Sequence, residues 1–262
     1  LKQDGSALWP NRWSLEMLEE RKVEIGSSKF TREYLCVPIS TNTMLFAPDA
    51  IKACKNSYAS LESVAREGYQ YYIGYDPAIS ANGDYTVMLV LEVDENMNKQ
   101  VVHMLRKKGL DFREHIQHIM ELCRRYKPEV VMIETNTFAM ELKSISDFPV
   151  REFTMSRKKK EEIILNLQMN IDNGKIVLPM QNENSRGVTN MIVQELGAFG
   201  INAHGKIEGV GAHDDIVIGL ALANYATKTF SDTFLDIDSG GLFNSGSTPT
   251  ANKGGAFYGI NL

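Results

Sequence analysis

The sequence predicts an α/β fold: a central sheet of mixed strand direction flanked by helices, with a helical segment before it and a tail after it. Three observations predict this. Apolar runs between Tyr69 and Leu105 follow one another across short polar turns, the pattern of an antiparallel meander. From Asp111 onward, helix-like and strand-like segments alternate, which builds a sheet with helices on its faces. From Ser231 the chain is rich in Gly, Ser, Asn and Thr, and its few apolar residues show no period, so a flexible tail is expected over 231–262.

The stretch 1–65 reads as helices and loops, a linker segment. Ser14 caps an expected helix over Leu15–Glu24, stopped by Gly26, and Pro48-Asp49-Ala50-Ile51 opens another short helix. The domain proper is expected over 66–230. Tyr69–Asp76 is its first strand. Asn82-Gly83 is a tight-turn signal before the second strand, Tyr85–Val93. The third strand, Lys99–Leu105, follows a polar turn at Asp94–Asn98. Asp111–Tyr126 is helical, with Phe112, Ile116, Ile119, Met120 and Cys123 at helical spacing. Val130–Ile133 is wholly apolar, as in a buried parallel strand. Thr137–Ser146 is a short helix and Val150–Phe153 a strand. Ser156–Asn173 is a long helix ended by Gly174. Periodicity leaves Val188–Phe199 open between helix and strand. Ala203–Gly209 reads as a hairpin edge. Asp214–Lys228 is apolar on most sides, hence a buried helix.

Composition sets limits. The 262 residues suffice for one large domain or one and a half ordinary ones. No apolar run reaches the ~18 residues of a membrane span, so no membrane partner is expected. The chain begins at Leu1 without a signal-peptide pattern and is expected to be part of something longer. Cys36, Cys54 and Cys123 show no paired spacing, which suits a reducing compartment and argues against a thiolate zinc site. A net charge of −5 gives no global attraction for nucleic acid, so any such binding needs a local basic patch.

Three acidic positions carry the chemistry. Asp76 ends the first strand, Glu134 ends Val130–Ile133, and Asp214 with Asp215 opens the last helix. A carboxylate at the end of a buried element is costly unless something pairs with it, and divalent cations bound by carboxylate oxygens would neutralise one shared site. Each residue also has a simpler reading: Asp76 before Pro77 as a turn residue, Glu134 as a helix-start charge, and Asp214 and Asp215 as caps. Neighbours on a helix point about 100° apart, so one of Asp214 and Asp215 is expected to face the metals while the other is a second ligand or a cap. The sequence does not choose between them. Alternation puts Asp76, Gly74 and Tyr72 on one face, and Gly74 and Gly83 leave room for a backbone or a ligand.

Arg157-Lys158-Lys159-Lys160 opens the long helix, where positive charge opposes the macrodipole. A DNA phosphate would resolve the conflict; a solvated charge run offset by Glu161 and Glu162 is the alternative. Arg106-Lys107-Lys108 and the cluster Arg124, Arg125, Lys127 are weaker candidates, read as solvated faces. His213 precedes the acidic pair, where it would orient a water or a phosphate; a supporting or surface position is the simpler reading. His115 and His118 have metal-compatible spacing but no third ligand, so surface placement is expected.

Ile-Gly-Tyr-Asp-Pro-Ala, Val-Met-Ile-Glu-Thr-Asn and Ala-His-Asp-Asp-Ile-Val-Ile-Gly-Leu-Ala-Leu-Ala resemble the nuclease domain of the large terminase subunit of tailed bacteriophages. The resemblance covers roughly Tyr69–Thr227, including a basic helix followed by Gly174-Lys175-Ile176-Val177-Leu178-Pro179, and weaker likeness runs from Leu8 to Pro38. It implies an RNase H-like fold and a two-metal endonuclease, with two Mg²⁺ or Mn²⁺ ions, that cuts concatemeric viral double-stranded DNA at packaging with little sequence specificity. It carries the ligand roles to Asp76, Glu134 and Asp214 or Asp215. It also implies an ATPase motor domain, a small terminase subunit and a portal as partners, in the cytoplasm of an infected bacterium. No Gly-x-x-x-x-Gly-Lys-Ser/Thr loop is present, so no ATP-driven step is expected of this chain. Rival readings are a junction resolvase of the same fold, an actin-like ATP-binding domain, which would need a Gly-rich phosphate hairpin and a second domain copy, and a non-catalytic DNA-binding or docking module.

Overall fold

A computed structural model describes residues 6–25, 30, 33–34, 43–62, 64–78, 85–135, 137–145, 147–201, 207–209 and 214–239. The elements are α1 (Leu15–Ile25), β1 (Thr43–Met44), α2 (Pro48–Ala53), β2 (Lys55–Asn56), β3 (Gln70–Asp76), β4 (Thr86–Val93), β5 (Lys99–Lys107), α3 (Phe112–Tyr126), β6 (Val130–Glu134), α4 (Thr137–Ile145), β7 (Val150–Phe153), α5 (Arg157–Asp172), β8 (Ile176–Pro179), α6 (Glu183–Gly197), β9 (Phe199–Ile201), β10 (Ile207–Gly209) and α7 (Asp215–Ser239).

The expected meander forms: β3 pairs antiparallel with β4, and β4 with β5. The remaining strands of this sheet join in parallel, β6 on β3 and β7 on β6 at one edge, β8 on β5 and β2 on β8 at the other. The seven-stranded order is β2-β8-β5-β4-β3-β6-β7. A second sheet, β1-β9-β10, is antiparallel.

Strand alternation splits the core into two layers. Tyr72, Val87, Leu89, Val130 and Met132 face the side covered by α5, α6 and α7. Tyr71, Ile73, Tyr75, Met88, Val131 and Ile133 face α3 and α4. Caps set helix ends. Asp111 and Glu114 form a reciprocal capping box at the start of α3, at 2.9 and 2.8 Å. After α5, Gly174 adopts φ +66°, a left-handed turn that glycine takes without strain.

Three sequence expectations need correction. The segment 1–65 is not a linker throughout, because Leu45, Phe46, Ile51 and Cys54 lie in the main core and β1 and β2 pair within the two sheets. Two-residue strands are too short to leave a period in the sequence. The helix beginning at the acidic pair continues to Ser239, past the expected start of the tail at Ser231; Phe230, Phe234 and Ile237 keep i, i+4, i+7 spacing there. His115 is buried, not on the surface. Its Nδ1 meets the Tyr75 hydroxyl, and that partner makes burial tolerable. The open segment Val188–Phe199 resolves as most of α6 followed by the first residue of β9. The Asn82-Gly83 turn, residues 203–206 of the hairpin, and 240–262 of the tail lie outside the described residues.

Candidate active site

Register brings the first two carboxylates together. Tyr75 pairs with Ile133 across the parallel β3–β6 ladder, so Asp76 and Glu134 end neighbouring strands at the same rank. Both lie on the face that carries Tyr72 and Met132, the face covered by α7.

Gly74 sets how close α7 comes. A Cβ there would stand 1.9 Å from the Gly219 carbonyl oxygen and 2.5 Å from the Ala223 nitrogen. The room left by this glycine is thus filled by backbone, while Gly83 lies outside the described residues. With α7 seated so closely, Asp215, one turn before Gly219, comes over the end of β3. Asp76, Glu134, Asp214 and Asp215 line one cavity of about 480 Å³, with Met155 and Ile218 as an apolar flank.

The two neighbouring aspartates are held differently. Asp215 is buried, and its Oδ2 accepts from the Tyr85 backbone N–H at 3.1 Å. Asp214 is half-buried, and its Oδ2 accepts from Lys160 Nζ at 2.8 Å. The Asp214 carbonyl accepts from Ile218 N–H at 3.0 Å, the first helical bond of α7. Burial, then the charges of Glu134, Asp215 and Asp214, raise the Asp76 carboxyl well above the usual carboxylate range, against the opposing effect of Lys160. Burial raises Glu134 as well, again opposed by Lys160.

As placed, no group of three or more His, Cys, Asp and Glu side chains among the described residues closes to ligand distance around one point. Among the described residues, Lys160 is the cation that lines the cavity with them. The donor chemistry nevertheless fits hard divalent ions: every acidic group at the cavity is a carboxylate, and four of them against one lysine leave charge that buried groups tolerate poorly.

The basic run divides. Lys160 turns into the cavity. Arg157, Lys158 and Lys159 are exposed at the start of α5, where Ser156 Oγ accepts from the Lys159 N–H at 3.3 Å. Arg157 Nε lies 3.4 Å from Glu161, and Lys159 Nζ is 5.6 Å from the Phe153 ring. His213 lies outside the described residues.

Sequence reasoning missed a supporting network. Glu195 on α6 accepts the Ile216 N–H of α7 at 2.9 Å and pairs with Arg106 at 3.3 Å. The Arg106 guanidinium lies 3.5 Å from the centre of the Tyr85 ring, and the Tyr85 backbone holds Asp215. A carboxylate in the undecided segment 188–199 was the only available signal for Glu195.

The profile of the terminase RNaseH-like domain family matches residues 73–224, more than half of the chain. Among solved structures, the large terminase nuclease of thermophilic phage G20c with bound magnesium is 22% identical, covers 71% of this chain and 98% of that one, and superposes with a TM-score of 0.55. The large terminase nuclease domain of Thermus phage P74-26 is 23% identical over 69% of this chain and 94% of that one, at a TM-score of 0.54. The HK97 bacteriophage large terminase is 13% identical over 80% of this chain and 49% of that one, at 0.53. These structural likenesses are likenesses of fold, the RNase H-like fold. Curated proteins gave no match. The family match runs from β3 through the start of α7 and spans every acidic residue of the cavity, and by it this chain belongs to the terminase RNaseH-like domain family.

Proposed function

We infer that this chain is the nuclease part of a terminase large subunit, a metal-dependent endonuclease that hydrolyses concatemeric viral double-stranded DNA during packaging, with little sequence specificity. Family membership supports a phage nuclease. The observation that carries the rest is the meeting of Asp76, Glu134, Asp214 and Asp215, from three segments far apart in sequence, in one cavity. A cluster kept only for stability would be poor design, since each added buried carboxylate disfavours the charge of the others.

Two divalent cations, Mg²⁺ or Mn²⁺, would supply an activated water and a stabilised leaving oxygen. The magnesium bound to the G20c nuclease supports that class of ion. Asp76, Glu134 and the Asp214/Asp215 pair would hold them. The Tyr85 N–H fixes the Asp215 carboxylate. Lys160 steadies Asp214 through its ammonium. The exposed cations Arg157, Lys158 and Lys159 receive a backbone phosphate of the DNA. His213, next to the acidic pair in sequence, would orient a water or a phosphate there. In this reading the ATPase motor domain, the small terminase subunit and the portal are the working partners, in the cytoplasm of the infected bacterium.

Incubation of supercoiled plasmid with Mg²⁺, Mn²⁺ or EDTA tests the reading. Nicked and linear products with metal and none with EDTA are expected; equal cutting under all three conditions would refute a metal-dependent site.

A further inference from the structure

The rank of residues that crosses the sheet at the site does not stop at the carboxylates. Across the ladders, Arg106 pairs with Val87, Val87 with Asp76, and Glu134 with Phe153. Asp76 and Glu134 adjoin. At about 4.8 Å per strand, the backbone span from Arg106 to Phe153 is roughly 19 Å, with the two carboxylates between its ends.

Both ends of this rank carry cations. At the Phe153 end, Lys159 lies over the ring and α5 begins with Arg157 and Lys158. At the Arg106 end, Lys107 pairs with Thr86 at the last rank of β5, and Lys108 follows it. Tyr85, part of the cavity lining, holds this second group close: Lys108 Nζ stands 4.4 Å from its ring centre and Arg106 3.5 Å. Arg106 is committed to Glu195. Lys107 and Lys108 are exposed, and no ion pair involves either among the described residues. Lys108 is thus an exposed cation over a ring that lines the acidic cavity, with the exposed Lys107 next to it at the strand end, and neighbouring like charges repel unless an anion joins them.

Resting on the nuclease reading above, we propose that Lys108 over the Tyr85 ring, joined by Lys107 at the strand end, forms a second phosphate-binding bank, so that duplex DNA lies across the strand ends from β5 to the start of α5, with the cleaved backbone over Asp76 and Glu134. In a chain of net charge −5, two local banks flanking the carboxylates oppose the repulsion that DNA would otherwise meet there. Arg124 and Lys127 close α3 just before β6 begins, at the end of β6 opposite Glu134, and take no part in this path.

The test is binding of a fluorescent duplex oligonucleotide in Ca²⁺ across a salt series, for the wild type, Lys107→Ala with Lys108→Ala, and Arg124→Ala with Lys127→Ala. The first double variant should bind about tenfold more weakly and lose about 0.9 of salt slope per phosphate contact removed. The second should keep the wild-type slope. An unchanged slope in the Lys107/Lys108 variant, or an equal loss in both, overturns the proposal; the latter would reduce the effect to net charge. A wild type that does not bind duplex at all would instead refute the nuclease reading. A thermal melt of each variant separates lost contacts from lost folding.

Discussion

Gly74 on β3 and Gly219 on α7 lie backbone to backbone: a Cβ on Gly74 would stand 1.9 Å from the Gly219 carbonyl oxygen. This contact sets the height of α7 above the sheet and therefore the reach of Asp215 toward Asp76. The two glycines are not equivalent. Gly74→Ala meets backbone that cannot move aside, and should cost about 3 kcal/mol or more, the upper end of overpacking. Gly219→Ala meets a Val87 methyl at 2.9 Å. That methyl belongs to a fully buried, β-branched side chain, so it yields at some cost, but it is not backbone, and alanine gains about 1 kcal/mol of helix propensity over glycine. Urea melts should show a large loss for the first and a clearly smaller loss for the second; equal losses would contradict the close-packing account.

Metal-free stability should depend on pH through Asp76. Burial, then Glu134, Asp215 and Asp214, raise its folded-state pKa above the unfolded value of about 3.9. Between those two values the folded state binds more protons than the unfolded state, so stability falls as pH rises through that window. Glu134 and Glu195, raised first by burial, act with the same sign. His103 and His115, lowered first by burial, act with the opposite sign nearer neutrality. The diagnostic is therefore the difference between variants. In EDTA, Asp76→Asn should melt higher than the wild type at neutral pH, and the gap should close in acid. Lys160→Met should melt lower, because Lys160 opposes the carboxylate charge. Saturating Mg²⁺ should restore the wild type, by about 2.7 kcal/mol at a hundred times Kd. Parallel wild-type and Asp76→Asn curves across pH would sink this prediction.

Glu195 should matter beyond its own burial. Its carboxylate caps α7 at Ile216 and neutralises Arg106. Glu195→Ala leaves a buried N–H and a largely buried guanidinium without their partner, at a cost of about 3–5 kcal/mol. Glu195→Gln keeps an acceptor for the Ile216 N–H and should recover a good part of that loss. Manganese titration by calorimetry should show weaker binding in the alanine variant, since Asp215 loses the fixed start of its helix. Undiminished manganese affinity would assign Glu195 to stability alone.

What the sequence reveals follows from what is local. Asp76 and Glu134 each end an apolar run, so their positions at strand ends were legible, and so was the β3–β5 meander. The Glu195 cap was not, because its partner Ile216 lies 21 positions away. The same holds for His115, whose partner Tyr75 is 40 positions away and on another element. Lys160 read as one of four equal cations; the packing of α5 beside α7 is what turns it, among the four, onto Asp214. The short strands β1 and β2 had too few residues to show alternation.

The central claim is that the carboxylate cavity is the hydrolytic site. Plasmid cleavage in Mn²⁺ by Asp76→Asn, beside the wild type, tests it most directly. The account predicts a loss of at least about a hundredfold, beyond the range typical of residues that only support metal ligands, in a protein that stays folded. Cleavage by a folded Asp76→Asn variant at the wild-type rate would contradict it.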